Sequence, residues 1–197
     1  MHLKHRLREA TLAGLAAFTA VIVLSYLKNW THFMVLSAPL GASLVLLLLL
    51  PSAPLSRPKH VILGHLLTTV LSIIGLKFIP DPMIGLAICF GLSFTLMVLT
   101  DTLHPPAGAN PILIYLADPE LVPLDFILPT LFGTLFMVGF ASVYHYIFTH
   151  RRYPFGPKAP KASKTKEAIN PVHTSPVNQG TVSQNPATAD SRSNESS

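Results

Sequence analysis

Five apolar runs, at residues 11–27, 33–50, 61–78, 83–103 and 126–148, occupy most of the chain as far as residue 148. Backbone in hydrocarbon has no water to bond, so a spanning segment must satisfy its own amides and carbonyls, and runs of this length do so as helices. The expected fold is therefore all-α and polytopic in a membrane. Half of the 197 residues are hydrophobic and 12% are charged, which excludes a soluble domain of average usage. The net charge of +5 does not point to nucleic acid, because the basic residues flank the apolar runs or lie in the tail, where membrane orientation accounts for them.

The longest interruption of the pattern is Asp101-Thr102-Leu103-His104-Pro105-Pro106-Ala107-Gly108-Ala109-Asn110. Pro105 and Pro106 have no amide hydrogen and disfavour helix in the residue before them, so a helix arriving from Met83 ends here and a short new one can start at once. Prolines also end helices at ordinary loops. The polar groups between two hydrocarbon stretches favour the other reading, a broken helix whose amides near Gly108, Ala109 and Asn110 face an anion. As helix, residues 107–117 rise only about 16 Å, half a bilayer core.

Pro39-Leu40-Gly41-Ala42-Ser43 aligns with Pro106-Ala107-Gly108-Ala109-Asn110. Both share a P-x-G-A core followed by a small polar residue. Units of residues 11–78 and 83–148 would then hold three elements each, spanning at about 11–27, 33–50, 61–78, 83–103, 107–117 and 126–148. An odd number of elements per unit makes the two units inverted repeats, an architecture of secondary transporters with broken helices meeting near the midplane. Six crossings also put residues 1–10, Arg57, Lys59 and the basic tail on one side and Asp118, Glu120 and Asp125 on the other, which gives a plasma (inner) membrane protein with both termini cytoplasmic. The apolar run at 11–27 is read as a first span and not as a signal peptide. Trp30 is read as an interface anchor, and residues 149–197 as a basic, then unstructured, cytoplasmic tail.

The anion path suggested by these segments comprises Pro39, Gly41, Ala42, Ser43, His104, Pro105, Pro106, Gly108, Ala109 and Asn110. His65 and His104 are the titratable groups nearest to it and, with Asp101, form a candidate proton relay. Each has a plainer alternative: His65 as a hydrogen-bonding core residue, and Asp101 as a helix cap or a partner of His104. His145 and His150 need no role beyond the interface. No phosphate loop, HExxH, paired CxxC or GxSxG elbow occurs, and neither metal-ligand spacing nor a cofactor motif is present, so no enzyme is expected. Cys89 reads as an inert buried thiol. The remaining partners are a small anion, the lipid bilayer and, through the small residues of the first span, a second copy of the chain. The rival reading is a non-transporting scaffold or sensor that recruits a partner through its basic tail.

His104-Pro105-Pro106-Ala107-Gly108-Ala109 resembles the signature of the HPP family of integral membrane proteins. The resemblance extends through Pro39-Leu40-Gly41-Ala42-Ser43, through Arg57-Pro58-Lys59 to Leu63-Gly64-His65-Leu66, and through Leu99-Thr100-Asp101-Thr102. It implies a membrane protein of about four spans, against the six read from charge, and a transport role for which nitrite is the associated substrate in photosynthetic members. Asn110-Pro111 departs from the Thr-Ala of many relatives, and the polar tail stands where some relatives carry a CBS pair.

Overall fold

The computed structural model describes residues 2–31, 37–117 and 123–154, and side chains at 3–27, 37–117 and 123–154. The described residues contain six α-helices and no strand: α1 (His2–Thr31), α2 (Ala38–Leu49), α3 (Pro58–Phe78), α4 (Pro82–Leu99), α5 (Asn110–Tyr115) and α6 (Leu124–Tyr144). A 3-10 turn, Pro105–Ala109, leads into α5, and a π turn, His145–Thr149, extends α6. Four segments are long and apolar enough to cross a membrane: Leu3–Leu27, Pro58–Phe78, Pro82–Leu99 and Leu124–Thr149. The other two elements are short. α2, with 12 residues, rises about 18 Å. The five-residue turn before α5 and the six residues of α5 rise about 19 Å together. Four full spans and two half-length elements thus accommodate both a four-span and a six-element description.

Local chemistry sets the boundaries. Proline stands in the first turn of α2, α3 and α4, where its missing amide hydrogen costs nothing. Asp81 caps α4, its Oδ1 accepting from the Met83 and Ile84 amides at 2.9 Å each. α4 ends at Leu99 and not near Leu103. The Thr102 amide reaches the Met97 carbonyl (2.9 Å) and the Asp101 amide the Val98 carbonyl (3.2 Å), with Asp101 left-handed at φ 52°. This is a Schellman ending, so the helix stops before the prolines have to stop it. α1 is continuous from His2, so residues 2–10 are helical with the apolar run that follows them. Nor does the fold end at 149: Arg151 pairs with Glu9 of α1, and buried Tyr153 donates to the Ser56 carbonyl (3.0 Å). Trp30's side chain, Asp118, Glu120 and the tail beyond 154 lie outside the described residues.

Side-chain contacts fix the directions of the helices. One face of the bundle holds the Glu9–Arg151 pair, the end of α2, the start of α3 with Lys59, the end of α4 with Asp101, and the π turn of α6. The opposite face holds the end of α3, the start of α4 and the end of α5, where Tyr115 lies against Gly75 and Gly85. The helices therefore alternate in direction, each half of the chain running long, short, long.

Two different interiors result. Ala16, Ala20 and Leu24 of α1, Leu40, Leu44 and Leu47 of α2, and Met137 and Ala141 of α6 form an apolar core. Lipid is as apolar as leucine, so close packing over small residues holds this part together. α3 is inverted in character: its buried face is Val61, Gly64, His65, Thr68, Thr69, Ser72 and Gly75, while Leu63, Val70, Ile74 and Leu76 are exposed. A polar seam facing inward and an apolar face turned outward suit a lipid-embedded helix with something polar to surround.

Candidate functional site

The Lys59-side end of that seam is a closed network of hydrogen bonds (Fully buried Ser43 of α2 sits with its Oγ 2.8 Å from His65 Nε2 and 2.8 Å from His104 Nε2, and 3.0 Å from the Pro39 carbonyl). His104 Nδ1 lies 2.8 Å from the Leu55 carbonyl; a carbonyl only accepts, so Nδ1 carries a hydrogen. Asn110 Nδ2 faces the His65 carbonyl (3.1 Å), which fixes its orientation as the amino group, and also His65 Nδ1 (3.1 Å), Thr68 Oγ1 and Thr69 Oγ1 (3.0 Å each). His65 Nδ1 is therefore an acceptor and its Nε2–H donates to Ser43. The neutral network runs in one direction, Asn110 to His65 to Ser43 to His104 to the Leu55 carbonyl. The two imidazole centroids are 5.2 Å apart.

A hydroxyl has one hydrogen, and Ser43 has two acceptors for it. In the neutral network it can donate to His104 Nε2. If His104 gains a proton there, Ser43 can turn its hydrogen to Pro39 and accept from both rings. The network therefore has room for one extra proton through rotation of one hydroxyl, with no displacement of heavy atoms.

Every residue of the sequence-derived path and proton relay except Asp101 lies on or beside the two short elements or on α3 next to them, but not in one role. Ser43, His65, His104 and Asn110 converge. Pro39 contributes its carbonyl. Ala42 and Pro105 are exposed, and Gly41, Pro106 and Ala109 are half-buried. The amides expected to face an anion are already used: Gly41 N bonds the Ser37 carbonyl (2.9 Å), Ala107 N the His104 carbonyl (2.9 Å), and Asn110 N the Ala107 carbonyl. α2 starts a turn earlier than the anion reading needs, so side chains and not helix-terminal amides supply the polar groups. Gly108 is buried, and its side-chain direction is filled: a Cβ there would stand 2.9 Å from Phe94 Cζ. Asp101 is apart from the network. It pairs with Lys59 at 3.1 Å, with its side chain 83% exposed, and the hydrogen bond and charge of Lys59 hold its carboxyl below the usual value. Depth is close to that expectation: His65 is about 10 Å along α3 from Pro58 and about 5 Å short of the middle of the helix.

Several participants were not singled out in the sequence. Thr68 and Thr69 receive Asn110, and Leu55 receives His104. Gly64 lets the HPP segment touch α3, since a Cβ would fall 2.9 Å from the Thr102 carbonyl and 3.1 Å from His104 Cβ. His60 Nδ1 donates to the Leu103 carbonyl at 3.1 Å, pinning the same segment. Their signal was the helical spacing of small and polar residues, 64/65, 68/69, 72 and 75, within an apolar span. His145 is not an interface residue: it is fully buried, its Nε2–H donating to the Leu47 carbonyl at 2.8 Å and so closing the open end of α2. Among the described residues no group of His, Cys, Asp and Glu is arranged to hold a metal.

Comparison with known proteins agrees with this architecture. The HPP transmembrane region matches residues 2–154. A transmembrane protein of Dictyostelium discoideum is 30% identical over 158 residues, covering 75% of this chain and 55% of that protein. A second from the same organism is 28% identical over 160 residues, covering 75% and 51%. The chain spans about half the length of these curated relatives. No solved structure matches it.

Proposed function

As the chain belongs to the HPP transmembrane family, we propose that it is a permease for a small inorganic anion, with nitrite as substrate and a proton as its companion. The observation that carries this reading is the Ser43-bridged pair His65 and His104, held by Asn110 in a lipid-embedded bundle. Buried polar and ionisable groups within spans are costly and mark pathways more often than they mark stability. Hydroxyl, amide and imidazole donors suit a small oxyanion, and the one vacant proton position on His104 would let the charge of that anion be neutralised as it enters. In this reading the two halves are inverted repeats and their short elements, α2 and the turn with α5, form the moving centre. The Lys59 face is cytoplasmic, and the membrane is the plasma membrane.

The test is nitrite uptake into proteoliposomes under an imposed pH gradient, comparing the native chain with Ser43→Ala, His104→Ala and the exposed-site control Ala42→Leu. Uptake should require the gradient, fall at least about tenfold in the first two variants, and survive in the third. Gradient-independent uptake, or equal loss in the control, would contradict the assignment. Uptake of another anion in preference to nitrite would move the substrate and leave the site.

A further inference from the structure

The seam on α3 does not stop at the histidines. It continues through Thr68, Thr69 and Ser72 to Gly75, about 15 Å beyond His65, and there it meets an aromatic ring. Tyr115, the last residue of α5, sits in a notch whose walls are glycine: a Cβ at Gly75 would lie 2.6 Å from Tyr115 Oη, and one at Gly85 of α4 would lie 2.7 Å from the same atom and 2.9 Å from ring carbon Cε1. α4 presents Gly85, Cys89, Ser93 and Met97 as its buried stripe. Ser93 Oγ, one turn from Cys89 on that stripe, is buried and has no hydrogen-bond partner. A serine in a helix can ordinarily bond back to its own backbone, so an unpartnered hydroxyl here marks a stripe that serves a polar visitor. The ring, in contrast, is lightly held: among the described residues the polar partner of Tyr115 Oη is Cys89 Sγ, at 3.5 Å, a weak bond at best.

We propose that Tyr115 is the gate at the Asp81 face of the seam, closing the path between α3 and α4 by filling the Gly75–Gly85 notch and opening it by swinging out. This rests on the permease reading above and adds the residue that controls access from the face opposite Lys59. The physical case is the combination: a polar stripe leading to the ring, glycines that admit it, packing in place of strong hydrogen bonds to hold it, and a position within about one turn of the ends of α3 and α4. A lightly tethered aromatic plug can move without breaking a network, unlike the His65–Ser43–His104 end.

Cys89 is the sole cysteine of the chain and reports on the notch without engineering. The full chain in sealed vesicles is treated with a membrane-impermeant maleimide from either side, without substrate. Tyr115→Ala should raise the rate of Cys89 labelling about tenfold, from one side only, whereas Tyr115→Phe should stay within about twofold of the native rate, because the ring and not the hydroxyl does the closing. Gly85→Ala, which drives the ring from its notch, should act as Tyr115→Ala does and serves if that variant does not fold. A gate is separated from a mere cover by a deeper thiol. In a Cys89→Ala, Ser72→Cys chain, Tyr115→Ala should expose residue 72 from the same side. Faster labelling at 89 with none at 72, no change at either, or equal rates for Phe and Ala would overturn the proposal. Labelling reads the gate alone and nitrite uptake by the native chain reads the permease, so the two readings can fail separately.

Discussion

Replacing Ser43 by alanine removes one oxygen atom and leaves two buried nitrogens without partners, which makes it the sharpest test of the network. His65 Nε2–H loses its acceptor and His104 Nε2 loses its donor, each at 2.8 Å and each on a fully buried ring. If only the bonds mattered, the loss would be small, since interhelical hydrogen bonds in membranes average about 0.6 kcal/mol. Orphaning is the larger effect: an unsatisfied buried donor or acceptor costs about 1–3 kcal/mol, so two give about 2–4 kcal/mol, toward the lower half of the summed range because one hydroxyl serves both. For a chain of this size each kcal/mol moves the melting temperature about 2–4 °C, so Ser43→Ala should melt roughly 5–12 °C lower. The assay is thermal unfolding of the purified protein in mild detergent, beside Ala42→Ser on the exposed side of the same turn, which should not shift. The double variant Ser43→Ala, His65→Ala should lose less than the sum of the single losses, because His65 no longer has a donor to orphan. A shift under about 2 °C for Ser43→Ala, or full additivity, would show that the hydroxyl does not bridge the two rings.

Two further outcomes follow from the flanks of the site. Gly108→Leu should lower both melting temperature and uptake, since its Cβ alone would stand 2.9 Å from Phe94 Cζ and 3.4 Å from Cε1; because the obstacle is the end of a partly exposed side chain, adding Phe94→Ala should recover most of the melting temperature, and failure to do so would place the clash elsewhere. Asp101→Asn should leave uptake against pH unchanged between about pH 5 and 8. The sign is that of a depressed carboxylate: Lys59 lowers its folded-state value, so the stabilisation is present above the ordinary 3.8 and is lost as pH falls through the folded value, leaving the group ionised throughout that window. A shifted profile would return Asp101 to the proton relay.

What the sequence disclosed and what it concealed divide along a physical line. Long apolar runs dictate helices because lipid leaves backbone no alternative, so the order of elements was legible, as was the break at His104-Pro105-Pro106. The boundaries were less so. Asp101 ends α4 through its own left-handed backbone, a device available to Asp without the glycine that usually signals it, so the helix stops ahead of Pro105 and Pro106. The anion-binding amides failed for a related reason: Pro39 lies in the first turn of α2, so Gly41 and Ser43 are already a turn inside the helix and their amides are used. What composition hid was the polar face of α3. Averaged along the span, Thr68, Thr69 and Ser72 vanish among leucines; taken every third or fourth residue, they form a continuous stripe.

The pairing of the two P-x-G-A segments acquires a meaning in the structure that the alignment alone did not carry. Ser43 and Asn110 stand at the same offset after the shared P-x-G-A residues, and they grip the same ring from opposite sides, Ser43 at His65 Nε2 and Asn110 at Nδ1. One segment ends in a residue that can both donate and accept, the other in an amide that the His65 carbonyl orients as a donor. That difference gives the network its direction. Were Asn110 a second hydroxyl residue, which can rotate to accept, His65 could carry its hydrogen on either nitrogen, and in one tautomer both rings would compete for the single Ser43 hydrogen while His104 still donates to the Leu55 carbonyl. With the amide in place, the tautomer of His65 is set, Ser43 is left as the only free rotor between the rings, and a proton arriving at His104 has one hydroxyl to turn.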